Sequence, residues 1–203
     1  MHLKSPRLLL TVLLLSLSLA AFAKDSRMLP TDPPGAAPAD AAVVVFMRPS
    51  SYGAAIKSSV YDVTDGKQEF IGIVSHKDKV AYRVAPGKHL FMVVAENGDF
   101  LDADLQAGKT YYAVVSPRMG VWKARFSLLP VHTDPNAEFN TSTAEFAKWM
   151  EKTNWVKRGP AADAWYAEHQ ADVAKKREKY LRNWNARSDA DKASLRLLPA
   201  DGS

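Results

Sequence analysis

From Ala41 onward the chain runs through short apolar segments separated by turn residues: Val43–Met47, Ser59–Val63, Phe70–Val74, Val80–Val84, His89–Val94, Leu101–Leu105, Tyr111–Val115 and 124–131. Each is rich in Val, Ile, Tyr or Phe, side chains that fit a pleated and half-buried surface. Asp65-Gly66 and Asn97-Gly98 suit tight hairpins, whose central residues need positive φ, and Pro86-Gly87 suits a turn with Pro fixing φ before Gly. Eight such segments at hairpin spacing predict an antiparallel β-sandwich. Val80, Tyr82 and Val84 alternate with Ala81 and Arg83, the pattern of a strand with one wet face. His89–Val94 is apolar on both sides after its first residue, which predicts a central or covered strand.

Beyond residue 132 the period changes from two to that of a helix. Ser142-Thr-Ala-Glu145 fits a capping box opening a short helix that carries Phe146, Trp149 and Met150. Gly159-Pro160 then starts a longer helix, since Pro is tolerated where the first-turn N–H has no partner. Ala162, Trp165, Tyr166, His169, Val173, Lys176, Tyr180 and Trp184 fall on one face of it, an aromatic stripe expected to dock on the chain's own sandwich. A Leu195-x-Leu-Leu198 cluster closes the region, which reads as a helical extension over 137–198.

The N-terminus has a different character. Lys4 and Arg7 precede the apolar run Leu8–Leu19 and an Ala21-Phe-Ala23 ending, the form of a cleaved secretory signal over 1–23. The run is shorter than the ~20 residues of a membrane-spanning helix. Residues 24–40, with Pro30, Pro33, Gly35 and Pro38, read as a disordered linker. The chain contains no Cys, which excludes disulfides, thiolate metal sites, a thiol nucleophile and lipidation at cysteine. Loss of Lys4 and Arg7 with the signal lowers the formal charge from +5 to +3, and the remaining charges are mixed in sign. That distribution argues against nucleic acid, and the expected location is periplasmic or secreted.

Val84-Ala-Pro-Gly-Lys-His89, Gly98 and Ala107-Gly-Lys-Thr-Tyr-Tyr112 resemble the small β-sandwich modules of bacterial envelope proteins that include the PEGA-type domain. The similarity is greatest to an uncharacterised family, often found on lipoproteins, whose members show a "PG-x-H" turn and an "AGK-x-YY" strand entry. It covers roughly residues 41–131. The resemblance implies an immunoglobulin-like or transthyretin-like sandwich over 41–132 and no assigned catalytic activity. This chain departs from the lipoprotein members in lacking the cysteine to be lipidated.

Chemistry is sparse. Gly108-Lys-Thr110 imitates the end of a phosphate-binding loop, but the first glycine of that motif is replaced by Ala103 and a strand follows in place of a helix, so no nucleotide site is expected. His76, His89, His132 and His169 have no partner at metal-ligand spacing, and neither a metal nor a cofactor is expected. Asp102 and Asp104 share one strand face, where they read as solvated carboxylates opposite Leu101, Ala103 and Leu105. A hydrolytic site would require them to converge with His132. The segment Ser116–Lys123 is the candidate for binding, with Arg118 and Lys123 flanking Trp122 in a Gly-bearing loop. The chain thus reads as an exported non-enzymatic module acting in cell-envelope protein interactions. Glycan or peptidoglycan binding by the same loop is a second reading, and periplasmic hydrolysis a third.

Overall fold

The run Ala42–Met47 (β2) is buried along its whole length, which for an alternating strand means that both faces of its sheet are covered. The computed structural model describes residues 27–118 and 125–203; the expected signal at 1–23 lies outside them, as do Trp122 and Lys123 of the expected binding loop. Among the described residues eleven strands form two sheets. The first joins β1 (Met28–Pro30), β10 (Asn154–Arg158), β5 (Asp78–Val84), β2, β8 (Thr110–Arg118) and β9 (Arg125–Val131) in that order. The second joins β11 (Arg196–Leu197), β7 (Gly98–Leu105), β6 (Gly87–Val94), β3 (Ser58–Asp62) and β4 (Glu69–Val74). Phe46 of β2 meets Phe91 of β6 edge-on at 5.2 Å in the core between the sheets.

A helix lies on each outer face. α1 (Ala144–Lys152) places Phe146, Trp149 and Met150 over Val43, Val45 and Met47, the outward residues of β2. The long α2 (Pro160–Asn185) covers the five-stranded sheet, with Tyr166 stacked on Phe70 at 4.8 Å and Trp184 against Phe100 at 5.9 Å. The aromatic stripe therefore docks on its own sheet. A short α3 (Asp189–Ala193) leads into β11.

All eight expected strands are present, but the expected antiparallel sandwich is corrected to two mixed sheets. β2 pairs parallel with β8, β5 with β10 and β7 with β11. Within the region read as a helical extension, residues 154–158 and 196–197 lie in strands that extend one sheet each. The segment expected as a linker departs from that reading too. Met28 is 8 % exposed in the core and Met28–Pro30 pairs antiparallel with β10. The Pro38 carbonyl accepts from both Ala41 and Gly108, so prolines that cannot donate still anchor the segment through their oxygens.

Two local expectations shift for identifiable reasons. Asn140 accepts from the backbone and hydroxyl of Ser142, which diverts that serine and leaves Thr143 as the N-cap, its hydroxyl accepting from Phe146 N–H at 3.1 Å. Asp65 and Gly66 take positive φ (53° and 81°) as their hairpin requires, whereas Asn97-Gly98 does not. A Cβ on Gly98 would stand 3.0–3.2 Å from Tyr180, so this glycine permits close approach of α2. Among the described residues no helix is long and apolar enough to cross a membrane.

Candidate functional site

Arg118 ends β8 and Arg125 begins β9, and the two face each other in the antiparallel register of that hairpin. Like charges directly opposite on paired strands repel, so this placement costs stability. A third guanidinium arrives from the far end of α2, where Arg187 lies 5.1 Å from the centre of the Trp184 ring. Asp99, at the start of β7 and 5 % exposed, receives Arg187 at 2.9 Å and Arg118 at 3.8 Å. Arg125 has no hydrogen bond or ion pair with any other described side chain.

These groups line a pocket of about 250 Å³ walled by Tyr180, Trp184 and Phe100. Its geometry is held from below. The Asn97 side chain donates to the Phe126 carbonyl at 2.8 Å and accepts from the Phe126 N–H at 2.7 Å, locking the β6–β7 turn to the start of β9. With three guanidiniums and one buried carboxylate the pocket carries an excess of positive charge. Planar guanidinium forks suit a carboxylate or phosphate group, which they bind through paired N–H donors. Of the three residues expected to bind, the structure places Arg118 in this pocket; Trp122 and Lys123 fall outside the described residues. The sequence reading missed Asp99, Arg125 and Arg187. Arg125 was signalled by its place at the other foot of the same loop, but nothing local links position 187 to position 99.

The carboxylates considered for hydrolysis are engaged elsewhere. Asp102 is paired with Arg196 of β11 at 3.0 Å, so its face is partly covered by a neighbouring strand and not simply solvated. His132 Nδ1 lies 2.9 Å from Asp201, which also accepts from the backbone of Leu198 and Thr133. The hydrogen bond to Asp201 raises the His132 pKa against the opposing effect of burial. For Asp201 burial favours the neutral acid, yet the hydrogen bonds from His132, Leu198 and Thr133 outweigh it and lower its pKa. No hydrogen bond or ion pair connects Asp102, Asp104 and His132. Among the described residues no group of three or more His, Asp or Glu side chains is placed to hold a metal ion.

Another cluster of ionisable groups surrounds Asp62, whose side chain is fully buried. It receives Thr64 through both hydroxyl and N–H, Lys67 at 2.9 Å and His89 at 3.3 Å. Burial opposes its ionisation, but these donors together hold it well below the usual carboxylate range. His89 lies on the interior strand β6, as a central strand over 89–94 leads one to expect, with its side chain 8 % exposed and its Nε2 2.9 Å from the Ala85 carbonyl. Thr64 in turn accepts from Leu90 N–H at 3.0 Å. The cluster fastens the positive-φ turn at Asp65-Gly66 to β6. A scan against protein-family models finds no match for the chain, and a search of curated proteins finds none either.

Proposed function

We propose that the protein is an exported, non-enzymatic module of immunoglobulin-like or transthyretin-like type that acts in cell-envelope protein interactions. Its contact is the arginine pocket, which receives an acidic group from a partner protein. The observation that carries this reading is the convergence of Arg118, Arg125 and Arg187 on a pocket with Asp99 as the one carboxylate among its described lining residues. Folding stability alone opposes that arrangement, because two of the three cations face each other across a hairpin. An incoming carboxylate offsets the repulsion and takes up the donors that Asp99 leaves unused. The leader at 1–23 and the resemblance of residues 41–131 to envelope β-sandwich modules support the location.

The test is photo-crosslinking in cells from position 183, an exposed α2 position lining the pocket, with adducts identified by mass spectrometry. A defined protein adduct that disappears in the Arg118→Glu, Arg125→Glu variant is the expected result. Absence of a protein adduct, with the protein recovered in the cell-wall fraction, would replace the protein partner with an anionic wall polymer.

A further inference from the structure

α2 does not seal evenly against its sheet. On one flank it is fastened: the Tyr166 hydroxyl donates to the Gln68 carbonyl at 2.7 Å, and Arg177 donates to the carbonyls of Gly66 and Lys67, both at 2.8 Å. On the other flank the helix stands off from the ends of β3, β4 and β6 and leaves a cleft of about 680 Å³. We infer that this cleft is a binding site for a small amphipathic anion, a molecule with an apolar body and one acidic head group.

The cleft floor is apolar, made by Ile56, Ile73, Val94 and Val173. Ser58 and Ser59 also line it, but their hydroxyls already donate to the carbonyls of Val74 and Val94 and offer no free proton to a ligand. Trp165 and His169 form one wall, with the Arg27 guanidinium 5.6 Å from the Trp165 ring centre. The His169 ring stacks on Trp165 at 4.8 Å with a 23° tilt, and its Nδ1 lies 2.7 Å from the Trp165 carbonyl. Such a floor and wall favour an aliphatic or aromatic body by removing its surface from water.

The rim has the opposite character. Arg27, Lys57, Lys175 and Lys176 surround the opening against only Glu96 and Asp172. Lys176 is committed to the Ala95 carbonyl at 2.5 Å, and Lys175 reaches Asp172 at 3.8 Å across an exposed pair of little strength. Lys57 has no ion-pair partner among the described residues. The size falls within the range of about 300–1,000 Å³ typical of small-molecule sites. Apolar floor, aromatic wall and cationic rim together define the ligand class: the head group is read by charge and the body by burial. The cleft shares no lining residue with the arginine pocket, so the two sites stand or fall separately.

Sodium decanoate is the probe, with decanol as the same chain without charge and acetate as the charge without the chain. Binding is followed by amide NMR shifts of the ¹⁵N-labelled protein. Decanoate should shift the amides of Ser58, Ile73, Val94 and Val173, bind about ten-fold more tightly than decanol, and leave acetate without effect. Lys57→Glu combined with Lys175→Glu, both at exposed positions that carry no packing, should weaken decanoate about ten-fold and leave decanol unaltered. Arg125→Glu in the other pocket should leave decanoate binding unchanged. Equal affinity for decanoate and decanol, shifts centred elsewhere, or indifference to the double charge reversal would each overturn the inference.

Discussion

The ammonium of Lys79, on β5, donates to the Met150 carbonyl at 2.5 Å near the end of α1, and a second bond at 2.8 Å reaches the Thr153 carbonyl. A strand lysine thus caps the helix that covers its sheet, satisfying carbonyls that have no partner of their own and meeting the negative end of the helix dipole. The stem is 1 % exposed and the ammonium lies 4.7 Å from the Trp155 ring centre. Lys79→Met keeps the packing volume and removes the donors. The expected loss is about 2 kcal/mol, read as a lower urea midpoint, with increased exchange of the α1 amides.

Gly98→Ala tests the close approach of α2. The added methyl meets Tyr180 at its Cβ as well as its ring, and a Cβ cannot swing aside. Destabilisation of about 1–2 kcal/mol is expected in the parent protein. In a Tyr180→Ala background, which removes the ring contacts and keeps the Cβ, the same substitution should cost less, a coupling that thermal or urea unfolding of the four proteins measures directly.

Arg48, at the end of β2, is wholly buried and holds a loop. Its guanidinium donates to the carbonyls of Ile56 at 2.5 Å, Gly53 at 2.6 Å and Tyr52 at 3.2 Å, and lies 4.6 Å from the Phe126 ring centre. Arg48→Met should cost about 3 kcal/mol, since bonds from a charged donor are lost and three carbonyls must find water. Limited proteolysis should then cut between residues 51 and 57 sooner than in the parent, while Arg48→Lys, a point charge in place of a fork, recovers only part of the protection.

The His132–Asp201 pair ties the chain end to β9 and makes that attachment depend on pH. His132 has its pKa raised above 6.5 by Asp201, so its contribution is complete below 6.5 and is lost as pH rises through the folded-state value. Asp201 has its pKa lowered below 3.8, so its contribution is present above 3.8 and is lost as pH falls through the folded-state value. Protection of the Thr110 and Ser203 amides, which bond each other's carbonyls at 2.8 Å and 3.1 Å, should be greatest between about pH 4 and 6.5 and decline toward alkaline pH. His132→Gln should flatten the alkaline limb of that profile.

The eight strands between residues 42 and 131 and the helices α1 and α2 were legible in the order of the residues, because alternation, β-branched runs, turn glycines and the Gly-Pro helix start are local properties of the chain. Strands β1, β10 and β11 were not. Met-Leu-Pro, Asn-Trp-Val-Lys-Arg and Arg-Leu carry little strand character of their own, and become strands because β5 and β7 leave backbone donors and acceptors open at their edges for β10 and β11, and β10 in turn offers its far edge to β1. Parallel pairing of β2 with β8 was hidden for the same reason: direction is set when sequence-distant segments meet, and no residue in either strand encodes it. The candidate site divides along this line. Arg118 was found by its place in a loop with Trp122 and Lys123, a neighbourhood visible in sequence. Asp99 and Arg187 are 88 positions apart, and α2, crossing the sheet over Gly98, brings the guanidinium to the carboxylate. Local chemistry determined the elements, and long-range packing decided which charges share a pocket.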